Sequence, residues 1–174
     1  MCCGQGCGIH DLAHAEGHQA IMYSKTEVSQ IRQAFWTTFG QYMAPVPSAE
    51  GVPTNWINYK TGLKHVYFRL HADGRRASIG IELTHPDAGI RELFFEQFQE
   101  LQPMLHETLG ETWQWEPDAE DANGQSISRI YQELQPVNLF SRDDWPGLIS
   151  FFKPRLVALD DFWSTAQYAF DELR

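Results

Sequence analysis

The strongest constraint on the fold is a predicted β-hairpin whose turn is Asp73-Gly74. A two-residue hairpin turn needs positive φ at both central positions, and an Asp-Gly pair adopts this conformation readily. Centring the turn there places six apolar residues opposite one another on a single face. A shift of one residue would mix polar and apolar side chains on each face, so the alternation supports this register. The expected pairs are Leu70 with Ala77, Phe68 with Ile79, and Val66 with Ile81.

A third strand is predicted before this hairpin, which makes a meander over residues 55–83. Thr61-Gly62 is a weaker turn signal, and a turn centred there places Ile57 opposite Val66 and extends the apolar face. In this arrangement Tyr67 lies across from Gly80, and His65 lies across from Glu82. The opposite face of the meander would carry Trp56, Asn58, His65, Tyr67, Arg69, Ser78, Gly80 and Glu82.

The remainder of the chain alternates helical patterns with two more strands. Helices are predicted over 24–43, over 85–109 with a kink or break about one turn before Pro103, and from 141 onwards with a division at Pro154. Strands are predicted over 112–116 and 126–134, and a Pro-rich connection over 44–53 precedes the meander. The order α-β-β-β-α-β-β-α-α predicts an α+β fold, in which helices cover an antiparallel sheet of about five strands.

Length and charge restrict the class of protein. A chain of 174 residues, 43% of them hydrophobic, suits one globular domain with a substantial core. No apolar run approaches the roughly 18 residues of a membrane span, and the N-terminus lacks the pattern of a secretory signal. We therefore expect no membrane association and a location in the bacterial-type cytoplasm. The net charge of −10 disfavours indiscriminate binding to nucleic acid or anionic membranes.

Residues 1–21 differ in composition from the rest of the chain. They contain all three cysteines, three of the seven histidines, and no lysine or arginine. His10, His14 and His18 would share one face of a helix, and Cys and His are zinc ligands. The cysteine spacing is not that of a standard zinc site. We therefore predict that 1–21 is a disordered or non-native extension, that Met22 is the natural start, and that 22–174 forms a single α+β domain.

Residues 60–76 reverse the overall charge, with five basic side chains against one acidic side chain, Asp73. These charges either keep the hairpin solvated and protect its edges from aggregation, or they form a binding surface. For the binding interpretation, the candidate residues are Trp56, Lys60, Lys64, His65, Tyr67, Arg69, Arg75, Arg76 and Glu82.

The catalytic motifs in the sequence are weak. Asp73, Glu82 and Asp87 are the carboxylates that a metal-dependent nuclease would need to hold its ion. However, Thr84 stands where the nuclease pattern Glu-x-Lys requires lysine. The chain has no nucleophile elbow, no phosphate-binding loop and no dinucleotide fingerprint. We therefore expect no catalytic residue, no cofactor and no metal.

Several segments resemble a bacterial family of domains of unknown function, number forty-two sixty-eight of that series. Two of these segments are Arg32-Gln-Ala-Phe-Trp-Thr-Thr-Phe-Gly-Gln-Tyr-Met43 and Asp144-Trp-Pro-Gly-Leu-Ile-Ser-Phe-Phe-Lys-Pro154, and others lie at 47–51, 55–62, 81–87 and 92–98. The likeness runs from about Met22 to the C-terminus. It implies a compact α+β domain that occurs alone or attached to nuclease-like modules. It supplies no catalytic residues, because the family has no assigned chemistry.

Two function hypotheses from different classes follow. The first is a non-catalytic interaction or accessory domain, with an unknown protein partner or a second copy of itself bound partly through aromatic residues. The second is a nucleic-acid-associated accessory domain of a restriction or repair system, which would bind through the basic meander 55–83. Stacked aromatic rings and phosphate-binding cations would then supply the affinity. A degenerate metal-dependent nuclease is a remote third hypothesis.

Overall fold

The computed structural model describes residues 22–174, which form four helices and one four-stranded sheet. The helices are α1 (Lys25–Met43), α2 (Ala88–Glu100), α3 (Gln102–Leu109) and α4 (Trp145–Ala166), with 3-10 turns at Arg142–Asp144 and Gln167–Leu173. The strands are β1 (Val66–Ala72), β2 (Ala77–Leu83), β3 (Gln114–Glu120) and β4 (Ser126–Leu134). Residues 1–21, which are predicted to be an extension and include the possible zinc ligands, lie outside the part of the chain that the structure describes.

The sheet is antiparallel throughout, with the strand order β1-β2-β4-β3. The α+β class is confirmed, whereas the prediction of about five strands is wrong. The missing strand is the first one of the meander, because residues 55–65 form a loop instead. The side chain of Trp56 explains the difference. It is buried, with 2% of its surface exposed, and its Nε1 donates to the Val46 carbonyl at 2.9 Å.

The β1–β2 hairpin has the predicted faces but a different register. Leu70 pairs with Ile79 and Ala72 with Ala77, so the partners are shifted by two residues from the prediction. The turn spans 73–76, and the Asp73 carboxylate accepts the amides of Arg75 and Arg76 at 2.8 and 3.0 Å. Positive φ occurs at neither central position of the predicted turn. A shift of two residues keeps every side chain on its face, because side chains in a strand alternate with a period of two.

The β3–β4 hairpin is present, but β3 runs over Gln114–Glu120 and not over the predicted 112–116, and it contains one irregularity. Its register shifts between Glu116 and Ala119, which is the signature of a β-bulge. Its turn is held by the Asp121 carboxylate, which accepts the amides of Asn123 and Gln125 at 2.8 and 2.9 Å. In the strand order, β3 lies at one edge of the sheet and β1 at the other.

All four helices contribute to a buried cluster on one face of the sheet. Phe68 and Ile81 of the sheet belong to the same cluster as Phe98 of α2 and Trp163 of α4. Phe68 and Trp163 meet edge to face, with ring centroids 5.9 Å apart. Burial of apolar and aromatic surface in this layer is the main favourable term for folding. The helices therefore cover one face of the sheet, and the side chains of the other face are available for a different role.

The helix boundaries follow from local chemistry. Ser24 and Glu27 form the predicted capping box at the start of α1. The break between α2 and α3 falls at Leu101, two residues before Pro103, which occupies the first turn of α3. The predicted division of the last helix is wrong, because α4 continues through Pro154. Burial of α4 side chains on both sides of Pro154 keeps the helix intact.

None of the helices within residues 22–174 is long and apolar enough to cross a membrane.

Candidate functional site beside strand β1

Four of the predicted binding residues line one cavity, which we call the edge cavity. It has a volume of about 300 Å³ and lies between the loop 57–64 and the first half of β1. The loop supplies Lys60 and Lys64, and β1 supplies Tyr67 and Arg69. The structure therefore brings these four side chains together although the predicted third strand is absent.

The edge cavity is positively charged. Lys60, Lys64 and Arg69 are exposed, and no aspartate or glutamate lines the cavity. Neither lysine forms an ion pair with any residue in the described part of the chain. The guanidinium of Arg69 lies over the Tyr67 ring, 4.2 Å from its centroid, and its Nε is 3.9 Å from the Glu82 carboxylate. The cavity thus presents cations that the chain itself leaves largely uncompensated.

The loop that forms one wall is anchored to α4. Trp163 Nε1 donates to the Thr61 carbonyl at 2.8 Å, and the Tyr59 hydroxyl donates to Asp160 Oδ1 at 2.6 Å. The other oxygen of Asp160 accepts the Ala49 amide at 2.6 Å, so α4 also holds the connection that precedes the loop. The Tyr59 ring stacks on Phe68 of β1, with centroids 4.9 Å apart.

Tyr59 and Asp160 are structural groups. Burial raises the pKa of Tyr59 well above its ordinary value, and the hydrogen bond to Asp160 and its charge raise it further. Asp160 is 5% exposed and has a donor on each oxygen. A second cavity, of about 440 Å³, lies beside this pair. Since a protein donor binds each oxygen of Asp160, the pair anchors the loop to α4.

The loop also packs against α1. Ile57 approaches Gly40 so closely that a β-carbon on Gly40 would lie 3.0 Å from Ile57 Cδ1. Thr61 closes the other end of the loop, where its hydroxyl donates to the Val66 carbonyl at 2.7 Å. The backbone at Gly62 and His65 has φ of 77° and 65°. These contacts fix the loop beside β1 without adding it to the sheet.

The uncovered face of the sheet is charged but internally paired. Glu82 Oε1 is 2.9 Å from His71 Nε2, and Arg129 donates to Glu116 at 2.6 Å. The hydrogen bond from Arg129 lowers the pKa of Glu116. Burial acts to lower the pKa of Arg129, but the bond to Glu116 prevails and raises it. Tyr131 donates to Glu116 as well, at 3.0 Å. The glutamates of this face are therefore paired with its histidine and arginine side chains.

Five of the predicted binding residues lie away from the edge cavity. Trp56 is in the core, and Glu82 belongs to the paired face. The His65 ring meets that of His85 at 4.7 Å, and burial lowers its pKa, with the charges of His85 and Lys64 adding to the shift. The last two residues, Arg75 and Arg76, lie in the hairpin turn, where Arg76 is 3.5 Å from Glu133.

The carboxylates considered for a nuclease serve three separate structural roles. Asp73 accepts turn amides, Asp87 accepts the Ile90 amide at the start of α2, and Glu82 contacts His71. Within residues 22–174 no group of three or more His, Cys, Asp or Glu side chains is arranged to hold a metal ion.

Sequence reasoning missed the anchoring residues Asp160 and Thr61. A signal for Asp160 was present, because it occupies a position in the apolar stripe of α4 between Leu156 and Trp163. A carboxylate inside such a stripe needs hydrogen-bond donors from elsewhere in the fold. Thr61 gave no comparable signal, since a Thr-Gly pair in a loop is equally compatible with a tight turn.

A family model described as "Domain of unknown function (DUF4268)" matches residues 31–167. Comparisons with curated proteins and with solved structures give no match.

Proposed function

We propose that this chain, which belongs to the family described as Domain of unknown function (DUF4268), is a non-catalytic interaction domain that binds an acidic partner protein at the edge cavity. The observation that carries the proposal is the concentration of Lys60, Lys64 and Arg69 around one cavity that no carboxylate lines. In a chain with a net charge of −10, such a cluster selects for local negative charge on a partner.

The contrast with the rest of the sheet supports a binding role. Arg129 and Arg76 are both near glutamates, so their charges contribute to the chain's own structure. Exposed ion pairs of this kind contribute little to stability, but they occupy charges that a partner would otherwise bind. Lys60 and Lys64 have no such partner in residues 22–174, which leaves them available to an incoming carboxylate.

Nucleic acid fits this surface less well than an acidic protein segment. Binding of single strands relies on open aromatic faces on which bases stack. Trp56 is buried, and the guanidinium of Arg69 already lies over the Tyr67 ring. The net charge of −10 also repels a long polyanion outside the cavity. A short acidic segment of a protein avoids that repulsion because its charge is confined to the site.

The proposal is tested with a labelled peptide of alternating Glu and Val, measured by fluorescence anisotropy at low and moderate salt. The double variant Lys60→Ala/Lys64→Ala should bind it roughly five- to tenfold more weakly, which is the size expected for two exposed ion pairs. The matched control is Lys25→Ala/Arg75→Ala, which removes two exposed cations away from the cavity and should bind like the unmodified chain.

A peptide of alternating Lys and Val and a single-stranded oligonucleotide complete the design. Neither should compete with the acidic peptide. Equal loss of binding in both double variants would show that the weaker binding comes from the change in net charge alone, and would contradict the proposal. Tighter binding of the oligonucleotide than of the acidic peptide, lost in Lys60→Ala/Lys64→Ala, would favour the nucleic-acid hypothesis instead.

A further inference from the structure

We infer that the acidic segment binds as an additional β-strand along the free edge of β1. This inference rests on the proposed function and states how the partner is held. It commits to one occupant, an extended acidic peptide of another protein. The argument depends on the backbone groups of β1, on the space beside them and on the charges around that space.

The register of the β1–β2 ladder identifies which backbone groups point outwards. At one end the Asp73 amide donates to the Arg76 carbonyl at 2.9 Å, and at the other the Thr84 amide donates to the His65 carbonyl at 3.0 Å. Hydrogen-bonded pairs in an antiparallel ladder alternate with pairs that are not hydrogen-bonded. Odd-numbered residues of β1 therefore bond to β2, and the even-numbered ones direct their N–H and C=O groups away from it.

Most of these outward groups have no partner in the described part of the chain. Val66 is satisfied, because its amide donates to the Leu63 carbonyl at 3.4 Å and its carbonyl accepts from Thr61. No hydrogen bond within residues 22–174 involves the outward N–H and C=O groups of the next three even-numbered residues. These residues are Phe68, Leu70 and Ala72.

The free stretch is bounded at both ends. The loop that satisfies Val66 closes one end, and the Leu139 amide closes the other by donating to the Asp73 carbonyl at 2.9 Å. Between them, 67–72 offers an edge long enough for three residues of an added strand to bond in alternation. An unpaired strand edge of this kind is a template for another chain.

Space for an added strand lies along this edge. The edge cavity shares Ile57 with a neighbouring cavity of about 460 Å³ at the surface of α1. That cavity shares Arg32 and Trp36 with a third, of about 490 Å³, which reaches Leu70 and Ala72. We call these three adjoining cavities the groove; the first lies beside residues 66–69, the second on α1, and the third opens mainly onto the uncovered face of the sheet. Neighbouring strands need a separation of only about 4.7–4.9 Å.

The charges in this groove select the occupant. Its first two cavities contain Arg32, Lys60, Lys64 and Arg69 and no carboxylate, whereas the third contains five carboxylates and three arginines. Complementarity to an acidic segment is therefore confined to the first two cavities. A second copy of this chain paired through β1 would bring the same cations near one another, and like charges on adjacent strands are destabilising. An acidic peptide brings the complementary charge, with its carboxylates at the Phe68 end of the groove.

The alternation of a strand predicts the peptide pattern. Side chains that point to the uncovered face of the sheet meet Arg69, which favours Glu. Those that point to the helix side meet half-buried Trp36 and Ile57, which favours Val or another apolar residue. The acidic peptide of alternating Glu and Val used above is therefore also a suitable probe for strand addition.

The test compares two N-methylated forms of this peptide. N-methylation of the residues whose amides face β1 should weaken binding at least tenfold, while N-methylation of the alternate set should change it less than twofold. In parallel, hydrogen exchange at the amides of Phe68, Leu70 and Ala72 should slow when the unmodified peptide is added.

A protein variant tests the same edge. Leu70→Pro removes an outward amide without removing a bond to β2, since Leu70 belongs to a pair that is not hydrogen-bonded. It should bind the peptide at least tenfold more weakly than Leu70→Ala. The melting temperatures of the two variants are compared first, and the N-methylated peptides decide the question if Leu70→Pro does not fold.

The outcomes separate the two proposals. Equal binding of both N-methylated peptides, with the lysine dependence retained, would overturn strand addition and leave the proposed function in place. Failure of the unmodified peptide to bind would overturn both. A dimer in which the Phe68 amide is already protected without peptide would show that a second copy holds this edge, and would overturn the inference about the occupant.

Discussion

At the scale of single residues, the buried carboxylate of Asp160 organises more of the molecule than any other charged group described above. It joins α4 to two points of the chain before β1, through the Ala49 amide and the Tyr59 hydroxyl. Both bonds are charge-assisted, and such bonds are stronger than neutral ones. Asp160 therefore acts on the edge cavity without lining it.

Tyr59→Phe should lower the free energy of unfolding by about 1–3 kcal/mol, because one oxygen of a buried carboxylate loses its donor. Urea denaturation followed by tryptophan fluorescence measures the change. Tyr42→Phe serves as the control, since Tyr42 is exposed and its hydroxyl makes no hydrogen bond within residues 22–174. Equal stability of the two variants would show that the Tyr59–Asp160 bond contributes nothing.

A second residue-scale prediction concerns Glu111 and pH. Burial acts to raise the pKa of Glu111, but hydrogen bonds from Arg155, at 2.7 and 3.0 Å, and from Trp113 prevail and lower it below its usual 4.5. A carboxylate whose pKa is lower in the folded state stabilises the fold above its unfolded pKa. That contribution is lost as pH falls through the folded pKa.

Glu111→Gln should therefore be less stable than the unmodified chain at pH 7, and the difference should shrink as pH falls below about 4.5. Unfolding free energies measured from neutral to acidic pH test this. Glu107→Gln is the control because Glu107 is exposed. A difference that stays constant across the range would contradict the assigned role of the carboxylate charge.

At the scale of elements, the hairpin 66–83 shows that a sequence pattern predicts the faces of a hairpin but not its register. Its alternation of apolar and polar residues predicts the two faces correctly, because burial of the apolar side chains determines which face packs against the helices. The register depends on the turn, where hydrogen bonds from Arg75 and Arg76 to the Asp73 carboxylate favour a longer loop over the expected one. Local side-chain bonds of this type compete with the standard turn and are hard to rank from sequence.

The predicted third strand failed for a tertiary reason. Alternation in 55–59 is compatible with a strand, but Trp56 reaches Val46 and Tyr59 reaches Asp160 instead. Neither contact can be inferred from the spacing of residues in the sequence. Four of the nine candidate binding residues nevertheless meet at one cavity, because the loop stays beside β1. The free edge of β1 was not predicted, since the missing strand was expected to cover it.

Helix α4 provides the element-scale prediction. Pro154 is exposed and lies inside the helix, where it removes one backbone hydrogen bond and its ring crowds the preceding turn. Pro154→Ala should raise the free energy of unfolding by about 1–3 kcal/mol. Thermal or urea denaturation measures it, with Lys153→Ala as the neighbouring control. A loss of stability would show that α4 packs in a shape that depends on the proline.

At the scale of the whole molecule, the described residues share one buried cluster, to which every helix and strand contributes except β3, whose Trp115 packs against it. The family match, over 31–167, falls entirely within these residues. The sheet has helices on one face, a paired ionic surface on the other, and the positively charged edge cavity beside β1. We propose on these grounds that 22–174 is the functional unit.

A chain that starts at Met22 should melt at the same temperature as the whole chain, with or without added zinc, and should bind the acidic peptide equally well. The reason is the separate composition of residues 1–21 and their position outside the family match. Differential scanning calorimetry compares the two chains. A lower melting temperature after truncation, or a zinc-dependent rise in the whole chain, would assign those residues a structural role.

The anchoring of the loop by α4 has a consequence for synthesis. Thr61 and its donor Trp163 are 102 residues apart, and Tyr59 and Asp160 are 101 apart. A ribosome adds residues from the N-terminus, so β1 and its loop emerge well before the helix that holds them. The groove therefore takes its shape only after residue 163 has emerged. Nascent chains stopped earlier display the cations but not the cavity. Under the proposed function, a partner therefore recognises only chains whose synthesis has passed that point.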